Sequence, residues 1–262
     1  MTLLELLVVL MILSVILTAA VKTWDVTLER GRSETTARKL KQIVNVIVGD
    51  PDYIVAGRRV DFGFVGDIGR LPENLQELAV DWVTPPESSR WRGPYIRSTF
   101  NESPDGFRID GWGDTIIYSR DGLFVRSLGG RGNADTTRWQ TVRLPYDKTA
   151  LANNDVEGQI VDIRGMPPPY DTAILGSLSM KLEYPREGKL EVVPLTWPLW
   201  IQNNGSFGNY GVVPQGTHRL TTIYNNPSHP PACTTTTDVT VYPGIGAHDV
   251  KVRLNVDWND QL

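Results

Sequence analysis

From Leu3 to Val21 the chain reads "LLELLVVLMILSVILTAAV", apolar at every position except Glu5, Ser14 and Thr18. A helix crossing a bilayer needs ~20 mostly apolar residues, and this run has that length. No Lys or Arg precedes it, and the first basic residue is Lys22, so the basic n-region of a secretory signal peptide is missing. Past the run the pattern becomes one-sided. Ala37, Leu40, Ile43, Val44 and Ile47 recur at helical spacing, with Arg38, Lys39, Lys41 and Gln42 on the opposite face. Gly49-Asp50-Pro51 then stops the helix. One helix to about Val48 would be ~70 Å long, its first half projecting from a globular head and its second half packed against it. Gly31, inside it, costs about 1 kcal/mol against Ala and marks a candidate bend.

The rest of the chain alternates with period two. "TIIYS" (115–119) and "LFVRS" (123–127) read as strands joined by Arg120-Asp121-Gly122. "LSMKLEY" (178–184) places Leu178, Met180, Leu182 and Tyr184 on one face, and "VKVRLNVDW" (250–258) alternates throughout. Such runs between turn residues predict antiparallel strands of a β-sandwich. Pro72 is placed to open a short helix, and Trp91, Tyr95 and Trp112 read as core aromatics. The fold class is therefore α+β, in three parts: an N-terminal helix over 1–48 with a membrane segment over 1–21, a globular head over 49–150, and a β-sandwich over 151–262.

Composition narrows the chemistry. A chain of 262 residues holds an anchor and about two domains. A net charge of -4 leaves no basic footprint for nucleic acid. Eighteen prolines and 24 glycines agree with a turn-rich β protein. Cys233 is the single cysteine, so no intrachain disulfide forms. No HExxH, P-loop, GxSxG or CxxC is present, and His218, His229 and His248 lack ligand spacing and read as surface residues. The expectation is a protein without catalysis, cofactor or metal. The Thr-rich "CTTTT" (233–237) and the triplets at Asn101 and Asn204 are candidate glycosylation positions.

Glu5 is the residue that bulk hydrophobicity does not explain. An ionised acid deep in a helical span costs on the order of 2.5–3.5 kcal/mol. Within the first twenty residues the only other full charge is the amine of Met1, with a reference pKa of about 8. A cation at a helix N-terminus opposes the helix dipole, and Glu5 in the first turn complements it. The amine and the carboxylate can pair within one chain or between neighbours in a bundle; a carboxylate that merely snorkels to the interface is the alternative. Met1 and Glu5 are the candidate site residues.

The stretch "MTLLELLVVLMILSVILTAA" resembles the mature N-terminus of type IV pilins and type II secretion pseudopilins, whose pattern is [F/M]TLxELLVVxxIxxxL. The resemblance implies removal of a leader by a prepilin peptidase, N-methylation of Met1, and assembly into a helical filament in which Glu5 pairs with the amine of a neighbouring subunit. It also bears on orientation. Lys22, Arg30, Arg32, Arg38, Lys39 and Lys41 lie after the span, and the positive-inside rule would place the C-terminal part of the chain in the cytoplasm. A basic leader of the pilin kind reverses that orientation.

"GRLPENLQELA" (69–79), "WRGPYI" (91–96), "DGWGDTIIYS" (110–119) and "RSLGGRGNADT" (126–136) are similar, in order and spacing, to the head of the type II secretion major pseudopilin. That family often binds calcium in the last of these loops. Here Asp135 matches one aspartate, and Arg131 stands where the other would be, able to pair with Asp135 and close the loop without metal. "VEGQIVDIRGMPP" (156–168), "NGSFGNYGVVPQGTHRL" (204–220) and "VTVYPG" (239–244) resemble the carboxypeptidase-regulatory-like, transthyretin-like sandwich, which implies a display or recognition module. Together these resemblances imply a homopolymeric filament subunit, held in the inner membrane before assembly and handled by pilus or secretion machinery. It would end in an extracellular pilus or a periplasm-spanning pseudopilus. The rival expectation is a minor pilin or membrane-anchored adhesin whose sandwich binds a ligand.

Overall fold

The structure is a computed structural model that describes residues 3–83, 89–96, 103, 105–228 and 230–261. Helix α1 (Leu3–Val48) runs for 46 residues, ~69 Å at 1.5 Å per residue, and passes through Gly31 without interruption. It ends where Gly49 takes φ 83 and its N–H bonds Asn45 O at 2.6 Å. That left-handed conformation is the usual glycine helix stop. The last turn holds no basic residue. Arg59 supplies the charge instead: its Nη2 donates to Val48 O at 2.7 Å, and Gln215 Nε2 donates to the same carbonyl at 2.8 Å. A buried guanidinium there complements the helix dipole and satisfies a carbonyl the helix leaves free.

After α1 come a short hairpin of β1 (Ile54–Val55) and β2 (Arg58–Arg59), then α2 (Gly63–Ile68). Strands β3 (Ile117–Ser119), β4 (Phe124–Ser127) and β5 (Gln140–Arg143) form a three-stranded sheet. Next are α3 (Lys148–Ala152), β6 (Asn154–Val161), α4 (Thr172–Gly176), β7 (Leu178–Arg186) and β8 (Lys189–Thr196). Strands β9 (Ser206–Val213), β10 (Gly216–Tyr224), β11 (Cys233–Val241) and β12 (Ala247–Arg253) complete the chain. It is an α+β protein, a long helix followed by several sheets. Residues 1–42, 98–118 and 124–142 form one compact unit; residues 43–97, 119–123 and 143–262 form another.

In the first unit a polar seam holds the helix. Glu29 Oε2 accepts from Trp112 Nε1 at 3.1 Å, and its other oxygen pairs with Arg138. Ser33 Oγ accepts from Gln140 Nε2 at 2.8 Å, and Thr36 Oγ1 from Gly111 N at 2.9 Å. Lys39 Nζ donates to Gly106 O and Ile109 O at 3.0 and 3.1 Å. Positions 29, 33, 36 and 40 share one helix face. The expected stripe is therefore displaced by one residue: Thr36 is buried and Ala37 exposed. Hydrogen bonds choose the buried position here, and apolar periodicity does not register them.

In the second unit two sheets enclose one core. One has the order β11-β10-β7-β8, the other β12-β6-β9. Leu178, Met180, Leu182 and Tyr184 point into that core as their alternation predicts, meeting Val156 and Ile160 of β6, Phe207 of β9 and Val252 of β12. Strand β12 departs from the expected antiparallel pattern. It runs parallel to β6, with Val252 opposite Ile160, and stops at Arg253, although Leu254 and Trp258 remain buried. Period two is the same in both strand directions, so alternation cannot set direction. Gly158 on β6 is where a Cβ would lie 2.0 Å from Val250 O, so this close approach requires glycine.

The segment 69–79 also differs from expectation. Its helix is a 3-10 turn, Leu75–Leu78, capped by the Asn74 side chain on Gln76 N at 2.9 Å; Pro72 lies outside it. Buried Arg70 pairs with Glu77 at 3.0 Å and Glu187 at 2.7 Å, and lies over the Trp82 ring. Glu187 and Gly188, both at positive φ, form the β7–β8 turn, whose Gly188 N–H bonds Ile68 O at 2.8 Å.

Candidate assembly surface and a polar cleft

From residue 6 to residue 28 every side chain of α1 that the structure describes is exposed, among them Leu10, Met11, Leu17, Trp24 and Val26 at 58–69%. The helix is long and apolar enough to cross a membrane, with mean hydropathy 2.5 over its most apolar stretch. Two of its polar interruptions, Ser14 and Thr18, are satisfied internally. Ser14 Oγ donates to Met11 O and Thr18 Oγ1 to Ser14 O, each at 2.8 Å. Neither hydroxyl needs water, as a lipid environment demands. Exposed apolar surface of this extent marks a place for another surface or for lipid. Of the two candidate site residues, Met1 lies outside the described residues. Glu5 sits on the helical backbone of α1, and its side chain lies outside them too.

Parts of two head motifs, "DGWGD" (110–114) and "RSLGG" (126–130), meet within the first unit, whereas 69–79 and 91–96 belong to the second. Asp110 of "DGWGD" is buried; its Oδ1 accepts from Trp112 N and Asp114 N at 2.9 Å, and its Oδ2 from Ser127 Oγ of "RSLGG" at 2.5 Å. Ser127 Oγ in turn accepts from Gly129 N at 3.0 Å. The loop after Ser127 is thus tied to the Asp110 turn by side chains. Asp135 takes its hydrogen bonds from Thr137 N and Oγ1, not from Arg131, which acts on it only at longer range. Those Thr137 bonds hold its carboxyl below the usual range. The proposed Arg131–Asp135 closure is therefore replaced by an Asp135 cap on the 3-10 turn Thr136–Arg138. No cluster of three or more metal-ligating side chains occurs among the described residues.

The aromatics expected in the core are half-buried and bonded. Trp91 Nε1 donates to Glu77 O at 2.9 Å, and Tyr95 packs edge-on against both Trp91 and Phe64. Tyr95 also opens onto a cavity of about 500 Å³ in the second unit, lined by α2, Arg90, Arg92 and the ends of β7 and β10. Its hydroxyl donates to Asp67 at 3.0 Å. Burial pushes the Asp67 carboxyl up, against the opposing pull of Tyr95 and of Arg92 and Arg90. Burial and the Asp67 charge push the Tyr95 phenol up.

His218, expected at the surface, is buried on the wall of this cavity, edge-on to Tyr184. Its Nε2 lies 2.7 Å from Pro214 O. A carbonyl only accepts, so Nε2 carries the proton and neutral Nδ1 presents a lone pair. Burial lowers the ring's pKa to about 4, and neighbouring Arg90 opposes its protonation further. The sequence signal that could have found this residue is its place in β10, in step with buried Leu220 and Tyr224.

Of the remaining candidates, His248 is exposed, bonded to Glu157 at 3.2 Å and Ile245 O at 2.7 Å. Asn204 is exposed, its side chain closing a turn on Ser206 N at 3.0 Å, while Asn101 and His229 lie outside the described residues. The threonines of "CTTTT" lie on β11, an edge of the four-stranded sheet. No family model matches the chain, and no curated protein or solved structure matches it either.

Proposed function

We propose that this protein is the structural subunit of a type IV pilus-like or type II secretion pseudopilus filament, drawn from an inner-membrane pool. The observation that carries the reading is the exposed apolar length of α1 over residues 6–21, continuous with a packed and capped second half. In the membrane that length contacts lipid. In the filament it contacts the same segment of neighbouring copies, where close van der Waals packing replaces lipid contacts. Met1 and Glu5 set the register: the methylated amine of one subunit pairs with the carboxylate of the next in a low-dielectric core. The polar seam from Glu29 to Lys39 keeps the helix and its unit together during extraction from the bilayer.

The test is to shear surface fibres from cells that make the protein and to sequence and weigh the fibre subunit. The reading expects this chain as the dominant component, beginning at Met1 with one added methyl group. An uncleaved leader, or the absence of the chain from sheared material, contradicts it. A second reading, a minor pilin or anchored adhesin, is favoured by the polar cavity around His218; it expects the chain to be scarce and confined to fibre tips.

A further inference from the structure

The polar seam fixes which part of the first unit lies nearest the apolar run of α1. Going down the helix, Lys39 Nζ meets Gly106 O and Ile109 O, Thr36 meets Gly111 N, and Ser33 meets Gln140. Glu29, the member of the seam nearest the run, meets Trp112 and Arg138. The loop after β4 closes at this same level. A Cβ on Gly130 would stand 2.6 Å from Trp112 Cδ1, and Gly132 O accepts from Trp139 Nε1 at 3.2 Å. Arg131 stands between these two glycines. It is exposed, and its side chain has no hydrogen bond or ion pair among the described residues. The acids of this level are engaged elsewhere. Asp135 accepts from Thr137 N and Oγ1 and feels Arg131 only at longer range, and Glu29 holds Trp112 and Arg138.

The end of the apolar run sets where a bilayer would stop. Leu3 to Val21 rises ~28 Å, close to the ~30 Å of a hydrocarbon core. Lys22 follows at once, and Trp24 is 69% exposed. An ammonium and an indole at the end of a span favour the membrane–water interface. From Val21 to Glu29 the helix rises a further ~12 Å, whereas the headgroup layer is ~5–8 Å deep on each side. The Glu29 level therefore stands just above the headgroups, and a long cationic side chain held there reaches them. Asp25 lies one turn from Lys22, so Arg131 is the cation of this rim with no acid beside it to hold it.

We propose that Arg131 binds the phosphate of a bilayer phospholipid, so that the loop after β4 rests on the headgroup layer while α1 spans the membrane. A guanidinium matches phosphate through paired N–H donors, and every phospholipid offers that group. The inference rests on the membrane half of the proposed function and deepens it: extraction of the subunit breaks this contact. Every residue it uses belongs to one compact unit.

The experiment is NMR of the full chain in three settings: phosphatidylcholine nanodiscs, maltoside micelles that carry no phosphate, and the same micelles with inorganic phosphate. The Arg131 Nε–H resonance, assigned by its loss in Arg131→Gln, is expected to shift in the discs alone. In the wild-type protein a gadolinium chelate on a minor lipid headgroup should broaden the amide signals of Gly130 and Gly132 strongly and that of Gly106, beside Lys39, much less. Arg131→Gln should leave the far-UV circular dichroism unchanged, because the side chain has no partner to lose. An Arg131 signal alike in discs and phosphate-free micelles, or Gly106 broadened as strongly as Gly130, would overturn the proposal. The same shift with inorganic phosphate in micelles would assign the site to free phosphate and overturn the lipid assignment. A chain that fails to enter the discs would overturn the membrane half of the proposed function and this inference with it. Entry without the shift overturns the inference alone.

Discussion

Asp162 is fully buried and is held mainly by backbone N–H groups, with Arg164 as a more distant charge partner. Its Oδ1 accepts from Arg164 N at 2.9 Å and Met166 N at 2.8 Å, and its Oδ2 lies 3.4 Å from Trp258 N and 3.5 Å from Arg164 Nε. Burial alone would raise its pKa; the backbone N–H donors, led by Met166, outweigh it and hold the carboxyl below its ordinary value. A depressed carboxylate contributes stability above its unfolded pKa of about 3.9 and loses it as pH falls through the folded value. His218 acts at higher pH. With a folded pKa of about 4, its stabilisation is complete above about 6.5 and declines as pH falls between these values, on the order of 3 kcal/mol in all. The groups facing it are Arg90, Tyr184 and the Pro214 carbonyl. Chemical denaturation in micelles at pH 7, 5 and 3.5 checks both. His218→Gln should flatten the wild-type loss between pH 7 and 5. Asp162→Asn should flatten the loss below pH 4 while costing about 2–3 kcal/mol at pH 7, because its donors lose a charged acceptor. Equal pH profiles for wild type and variants would contradict these assignments. Asp162 was visible in the sequence only as part of "VEGQIVDIRGMPP"; its Oδ1 closes the local turn, but the donor to its Oδ2, Trp258 N, lies far along the chain.

At the scale of elements, what could be read from the sequence was what local periodicity encodes. Helix α1 stops at Gly49, and Leu178 to Tyr184 alternate into the core, because these depend on neighbours in the chain. What could not be read was set by distant partners. Thr36 is buried because Gly111 N reaches it, β12 is parallel because it joins β6 after crossing from the other sheet, and His218 is enclosed with Tyr184 packed edge-on to it. Two substitutions test these contacts. Thr36→Val removes the acceptor for Gly111 N while keeping the shape, and should cost about 1–2 kcal/mol in denaturant midpoint. Gly69→Ala should cost about 2 kcal/mol or more. Gly69 has φ 82, and an added Cβ would stand 2.1 Å from Pro185 O on β7, so strain and overlap combine. A melting temperature unchanged by Gly69→Ala would mean that α2 and β7 are less tightly joined than their geometry requires.

At the scale of the whole molecule, the division of labour lies along α1. Its second half is capped by Arg59 and Gln215 and buried at Leu40, Ile43 and Ile47, whereas residues 6–28 are left for other surroundings. On the proposed filament reading the free half serves twice, once in lipid and once in the filament, and Glu5 distinguishes the two. In the membrane a carboxylate near the helix start is tolerated close to the interface and with the helix dipole. In the filament core, loss of one member of a buried pair leaves a lone charge, at a cost of about 3–5 kcal/mol. Glu5→Leu should therefore insert at least as well as wild type and assemble poorly, and Glu5→Asp should be intermediate because it loses reach. The deciding measurement is the ratio of sheared filament to membrane-held subunit for wild type and Glu5→Leu at matched expression. The account predicts normal membrane levels and a filament yield reduced about a hundredfold or more, since each 1.4 kcal/mol is about tenfold and the loss is about 3–5 kcal/mol. Wild-type filament yield from Glu5→Leu would contradict it and leave Glu5 a carboxylate that only snorkels.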